Sequence, residues 1–125
     1  MGKSVHDDVL DQSLNYVKTN GLRLCLCSQE PTTYTEAITT YKLADVDIDN
    51  TDYTGPANGD TSGRKVTINA QTGVTVDSSG TSNHAAIVDT VNSKLLLVTT
   101  HTGQALTAGN TVDIGSFKQE IADPT

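Results

Sequence analysis

The chain reads as a mainly β protein, an antiparallel β-sandwich or barrel of six to eight short strands with one N-terminal α-helix. Three features predict this. First, NHAAIVDTVNSKLLLVTT, residues 83–100, carries the densest apolar material in the sequence, in two runs, Ala85 to Val88 and Leu95 to Val98. Both runs are too short for helices, rich in Ile, Val and Leu, and separated by Asn-Ser, the pattern of two buried strands in a hairpin. Second, RKVTINA and VTVD alternate apolar and polar residues, which suits strands with one face covered. Third, there are twenty Thr residues, and a β-branched side chain with a hydroxyl sits well on a half-exposed sheet face.

Composition sets the limits. At 125 residues the chain makes one domain, 1–125, with a helix over about 5–19 and a β-rich body over about 22–121. A fold of this size buries roughly two-thirds of the surface its unfolded chain exposes. The apolar fraction is 35 %, with one Phe and no Trp, so the core must be thin and aliphatic. The net charge is −7, and the eight Lys and Arg are scattered, which leaves no basic stripe for a nucleic-acid backbone. No run is long enough to span a bilayer. The start MGKSVHDDVL has neither the basic segment nor the apolar stretch of a secretory signal, so a soluble cytoplasmic chain is expected.

The elements follow in order. Ser4, Asp7 and Asp8 precede Val9, Leu10, Leu14 and Val17 at helical spacing, and Asn20-Gly21 follows. Ser4 is the expected cap and Gly21 the left-handed stop. Val5, Val9, Leu10, Leu14, Tyr16 and Val17 share one half of this helix, opposite Asp7, Asp8, Asp11, Asn15 and Lys18. That face covers the protein's own sheet or docks on a neighbour. Leu22 to Ser28 is the first strand. Its Cys25 and Cys27 share a face with α-carbons roughly 6.6 Å apart, at the edge of disulfide geometry. Two reduced thiols are expected, with a bridge to another chain as the alternative.

After Pro31, PTTYTEAITTYKLAD mixes helical spacing with many Thr, so a helical turn or irregular excursion is expected. In DVDIDN, Val46 and Ile48 alternate with Asp45, Asp47 and Asp49. Carboxylates at the first, third and fifth positions also open a calcium loop, but Asn50 stands where that loop needs Gly and Pro56 where it needs Glu. A strand with an acidic outer face is the better reading. TDYTGPANGDTSG, residues 51–63, is expected to be a long surface loop. Beyond it, RKVTINA and VTVD form a second hairpin about Gln71-Thr72-Gly73, with Val66, Ile68, Val74 and Val76 inward. A short strand about Val112 and Ile114 and a last one from Phe117 to Ile121 complete the set.

No reactive constellation stands out. The chain lacks a phosphate loop, a G-x-S-x-G elbow, H-E-x-x-H and C-x-x-C. His6, His84 and His101 lie far apart, and Ser79, His84 and Asp89 are a triad only on paper. No catalytic, cofactor-binding or metal-ligating residue is assigned, and no cofactor is expected.

The phrases SVHDDVLDQSLNYVK, LCSQEPTTYTEA, YKLAD, TGPANGDTSGRKVTINA, DSSGTSNHAAIVD, LLLVTTHTGQALTAGNTVDI and EIADPT together resemble a family of small structural proteins encoded in the virion morphogenesis modules of tailed bacteriophages and prophages. The resemblance implies a non-enzymatic virion component, foremost a capsid decoration or cement protein that stabilises the head by protein–protein contacts. A neck, tail or baseplate component, or a fibre-associated receptor- or carbohydrate-binding module, is the alternative. The implied location is the virion, and the implied partners are the major capsid protein or other virion proteins together with further copies of the chain, without direct nucleic-acid or membrane contact. The interface candidates, chosen for apolar exposure or extension, are Val5, Val9, Tyr16, Asp52, Tyr53, Pro56, Phe117, Ile121 and Pro124, within the helix, the 52–63 loop and the 117–125 tail.

Overall fold

The structure, a computed structural model, describes residues 4–123. Helix α1, Asp7–Asn20, starts later than Ser4, because the cap is His6, whose Nδ1 accepts from the Asp8 amide at 3.0 Å. An imidazole nitrogen satisfies an orphan amide there as a Ser hydroxyl would. Asp7 and Asp8 occupy the positive end of the helix and Lys18 the negative one. Gly21 ends the helix with φ −79° and ψ 94°, in extended rather than left-handed geometry. It is needed for space: a Cβ on it would lie 2.2 Å from Tyr53 Oη and 2.6 Å from Ile87 Cγ2.

The apolar half of the helix divides. Leu10 and Leu14 are buried and Val17 packs against the core, while Val9 and Tyr16 face solvent. Asp11, expected on the outer side, turns inward to hold Arg64, Nε to Oδ1 2.8 Å and Nη2 to Oδ2 3.3 Å. Lys18 Nζ donates to Gly55 O at 3.0 Å. The helix therefore covers its own sheet and is tied to it at both ends.

Among the described residues the body comprises nine antiparallel strands in three sheets, arranged like a sandwich without closing into a barrel. The number of strands exceeds the six to eight expected because 51–63 supplies a further one. The first sheet has the order β2-β1-β6-β7, with β1 Arg23–Cys27, β2 Lys42–Asp47, β6 Gly80–Asp89 and β7 Lys94–Leu106. Strand β1 is interior and buried on both faces, which is why its sequence is almost unbroken in Leu and Cys. Leu24 and Leu26 point into the main core with Ala85 and Ile87, and Cys25 and Cys27 point to the other face with Ala86 and Val88. The β6–β7 hairpin is the one expected around Asn92-Ser93, with longer arms. Asp89 holds its turn, Oδ1 accepting from the amides of Val91 (2.9 Å) and Asn92 (3.1 Å) and Oδ2 from Asn92 Nδ2 (2.8 Å).

The second sheet has the order β3-β4-β9, with β3 Tyr53–Asn58, β4 Arg64–Ile68 and β9 Phe117–Ile121, and the third pairs β5 Gln71–Thr75 with β8 Thr111–Ile114. Two expectations are corrected here. The 51–63 stretch is not one long loop: β3 runs through its Gly-Pro step by a register shift between Thr54 and Ala57, an irregularity an edge strand tolerates. Strands β4 and β5 do not pair, because β4 lies between β3 and β9 while β5 crosses to β8. Val66, Ile68, Val74 and Val76 are nevertheless all buried. Alternation decides which side chains face inward but not which strand lies alongside.

Leu14 from the helix, Leu24 and Ile87 from the first sheet, Val66 and Ile68 from the second, and Val74, Val112 and Ile114 from the third meet in one aliphatic core. The outer face of the first sheet is covered by the Pro31–Tyr41 excursion, which contains a π-helical turn at Glu36–Thr40. It places Ala37 over Cys27, whose Sγ donates to Ala37 O at 3.6 Å, with Tyr34, Ile38 and Tyr41 around them. Thr-rich sequence lowers helix propensity, and the excursion accordingly forms a single wide turn pinned by Glu36 Oε1, which accepts from the Thr32 amide at 2.9 Å.

Candidate functional site

One open cleft of about 380 Å³ lies between β7 and the β8–β9 connection. A bulge in β7 shapes it. Ser82 pairs with Gln104 and His84 with Thr100, so His101, Thr102 and Gly103 stand opposite Asn83 alone. Extra residues in one strand bend it and re-aim side chains. His101 is thereby turned toward Ser82, with Ser82 Oγ and His101 Nε2 3.0 Å apart. His101 Nδ1 lies 2.8 Å from Thr102 O. A carbonyl oxygen can only accept, so Nδ1 is the donor to Thr102 O. Leu26, Ala85, Val112, Ile114 and Phe117 supply the apolar lining, and Thr99, Thr100, Gln104, Asp113 and Ser116 the polar lining.

A serine, a histidine and a carboxylate thus border one hollow, and their geometry determines what they can do. In a hydrolytic triad the carboxylate accepts from Nδ1 of the histidine and the serine Oγ is open to substrate. Here a backbone carbonyl takes the carboxylate's place at Nδ1, and Asp113 Oδ1 is engaged by the Gly73 amide at 2.9 Å. Ser82 has a relative exposure of 0 %, so its oxygen offers no approach for a reacting carbon. The pair is a satisfied polar contact that fixes the bulge and presents the His101 ring at the cleft wall. The sequence signal for it was the Gly in THTG within a strand pattern, a common mark of a bulge.

The other candidate chemistry is dispersed. Ser79 Oγ accepts from the Ala108 amide at 2.9 Å, His84 Nδ1 donates to Asn83 Oδ1 at 2.6 Å, and Asp89 holds the hairpin turn. His84 and Asp89 are five residues apart on one strand, roughly 17 Å. In DVDIDN, Asp47 binds Arg23 Nε at 2.9 Å, Asp45 lies between Arg23 (3.7 Å) and Lys42 (3.6 Å), and Asp49 caps the 3₁₀ turn Asn50–Asp52. Among the described residues no three His, Cys, Asp or Glu side chains are grouped to hold a metal ion. Both cysteines are free and fully buried. Burial pushes the Cys25 thiol up to about 12 and the Cys27 thiol up to about 11, so neither is placed to bridge to another chain.

Among the described residues the interface candidates do not form one patch. Val9 is 61 % exposed and Tyr16 46 %; seven residues apart, they stand on one helix face two turns from each other. Val5 is half-buried. Asp52 is turned inward, its Oδ2 accepting from the Asp49 amide at 3.0 Å and its Oδ1 from Gln71 Nε2 at 3.1 Å. Tyr53, expected to be exposed, is buried at 5 %, and its hydroxyl donates to Gly21 O at 2.9 Å. Its apolar ring fills the gap under the helix terminus, and burial raises its pKa. Pro56 is half-buried, and Ile121 is half-buried opposite Arg64. Phe117 is half-buried at the cleft, and Pro124 lies outside the described residues.

Around Asp60, Lys118 and Lys65 form an ion-pair cluster that holds the Asp60 carboxyl down at about 2, chiefly through the Lys118 hydrogen bond and then that of Lys65. The Asp60 amide also bonds to Glu120, which anchors the β3–β4 turn on β9. No described helix is long and apolar enough to cross a membrane. No family model matches the chain, and no curated protein or solved structure matches it.

Proposed function

We propose that the protein is a non-enzymatic structural component of a tailed-phage virion, foremost a capsid decoration or cement protein that acts through contacts with the major capsid protein and with its own copies. The observation that carries this reading beyond the sequence resemblance is the outer face of α1. Val9 and Tyr16 remain exposed on a helix held by the Asp11–Arg64 pair and the Lys18–Gly55 bond. An apolar pair on a fixed helix suits docking, because little side-chain or backbone freedom remains to be lost on binding.

The receptor-binding alternative gains little from the cleft. Sugar faces are met by aromatic rings, yet the four Tyr residues are spread over the helix, the buried core and the cover of the first sheet, with only Phe117 at the cleft. The test is copy number in purified particles, by quantitative gel or mass spectrometry. Hundreds of copies support capsid decoration, six to twelve move the protein to the neck or baseplate, and absence from particles removes the reading. Val9→Asp, at a position already in water, should leave the fold intact and lower incorporation; unchanged incorporation would remove α1 from the docking surface.

A further inference from the structure

A hydrogen-bonded seam joins the first sheet to the third. Leu43 O on β2 accepts from the amides of Asp77 (2.7 Å) and Ser78 (3.0 Å), which follow β5, and Ala44 bridges to Val76. Beside these bonds lies a cluster of charged side chains: Arg23 from β1, Lys42, Asp45 and Asp47 from β2, and Asp77. Two cations face three carboxylates, so one carboxylate is left short of a partner.

Asp45 is that carboxylate. Lys42 Nζ lies 3.1 Å from Asp77 Oδ2 but 3.6 Å from Asp45 Oδ1, and Arg23 Nε lies 2.9 Å from Asp47 Oδ1 but 3.7 Å from Asp45 Oδ2. Each cation is thus closer to another carboxylate and beyond hydrogen-bond distance of Asp45. The Asp45 side chain is 23 % exposed, against 42 % for Asp77 and 80 % for Asp47, so water replaces the missing partner least well there. On β1 it stands opposite Cys25, whose thiol burial pushes up to about 12 and so keeps neutral. From the excursion above this face, Tyr41 packs near the thiols while Glu36 is turned onto Thr32, and β5 carries no charged residue. A half-buried carboxyl in such a place holds its proton more tightly than usual, and once protonated it is a donor.

We propose that Asp45 and Asp77 form an acid-operated latch, in which Asp45 takes up one proton from solvent in mild acid and donates it in a hydrogen bond to the Asp77 carboxylate across the seam. Asp77 stays ionised against Lys42, so the seam gains a side-chain bond and loses none. Burial first, and then the hydrogen bond with Asp77, raises Asp45 above the ordinary aspartate value, whereas the Lys42 hydrogen bond chiefly lowers Asp77. The two carboxyls therefore titrate on opposite sides of about 3.9, holding one proton between them in the window that separates them. A raised folded-state pKa makes the contribution of Asp45 complete below its unfolded value and lost as pH rises through the folded one. Asp77 has the opposite sign, its contribution being lost only as pH falls through its lowered value.

Carbon-13 titration of the aspartate carboxyls, with amide hydrogen exchange at about pH 7 and about pH 4.5 corrected for intrinsic rates, tests the latch. Asp45 should titrate above the ordinary aspartate value and Asp77 below it. Asp77→Asn should move the Asp45 midpoint down, because the accepting carboxylate and its repelling charge are both gone. The Asp77 and Ser78 amides should exchange several-fold more slowly in acid in the wild type, and equally at both pH values in Asp45→Asn, which cannot take up the proton. An Asp45 midpoint at or below the ordinary value overturns the proposal. So does a midpoint that Asp77→Asn leaves in place, or wild-type exchange at Asp77 and Ser78 that does not change with pH.

Discussion

The junction between α1 and the sheets rests on Gly21, and replacing it isolates that contact. In Gly21→Ala the new methyl would lie 2.2 Å from Tyr53 Oη, 2.6 Å from Ile87 Cγ2 and 2.7 Å from Val17 O. The backbone at φ −79° accepts Ala, so strain comes only from overpacking. Crowding of this kind costs about 1–3 kcal/mol, and loss of the Tyr53–Gly21 hydrogen bond adds about 1 kcal/mol. Against this, Ala stiffens the unfolded chain by about 0.4–1 kcal/mol. The net expectation is about 1–3 kcal/mol of destabilisation. Tyr53→Phe alone strands Gly21 O and should cost about 1–2 kcal/mol. Because the phenolic oxygen is also the nearest obstacle to the methyl, the double variant should be less destabilised than the sum of the two singles, by about 1 kcal/mol or more. Urea unfolding followed by far-ultraviolet circular dichroism measures all four corners of the cycle. Additivity within about 0.5 kcal/mol would refute the contact, since independent sites add to that precision.

Leu24, buried at 0 % between the sheets, should cost about 2–5 kcal/mol as Leu24→Ala, read from the same urea midpoints; a loss below that range would mean the core collapses around the cavity. The two thiols should resist a disulfide reagent at pH 8 in the native state and react together in guanidinium, because burial raises both of them; fast native labelling would show that the Pro31–Tyr41 cover opens. Asp60 has a folded-state pKa of about 2, below its unfolded value, so its contribution is present above about pH 4 and lost as pH falls through about 2. The stability gap between wild type and Asp60→Asn should close over that window. It should also shrink with salt, since the side chain is 48 % exposed; a gap that persists at pH 2 would exclude the ion pairs as its source.

What the amino-acid order determines by itself is the inward or outward sense of each segment. Apolar period two marked Val66, Ile68, Val74 and Val76 as core, the unbroken run Ala85 to Val88 marked a strand buried on both faces, and helical spacing marked Leu10 and Leu14, because burial acts residue by residue along the local repeat. The Asn92-Ser93 hairpin was equally legible, since its strands are neighbours in sequence and a short turn closes them. Partnership between distant strands was not. The β4–β9 and β5–β8 pairings join residues 36 to 57 positions apart, and many strands could have satisfied the same alternation. The splitting of the α1 face also depended on the rest of the fold: Arg64, brought alongside by β4, drew Asp11 inward and left Val9 and Tyr16 in water. The same holds for the Ser82–His101 contact, which exists only because a bulge in β7 brings together two residues nineteen positions apart. Local periodicity is written in neighbouring residues, whereas contacts across the fold form only when packing brings distant segments within reach of each other.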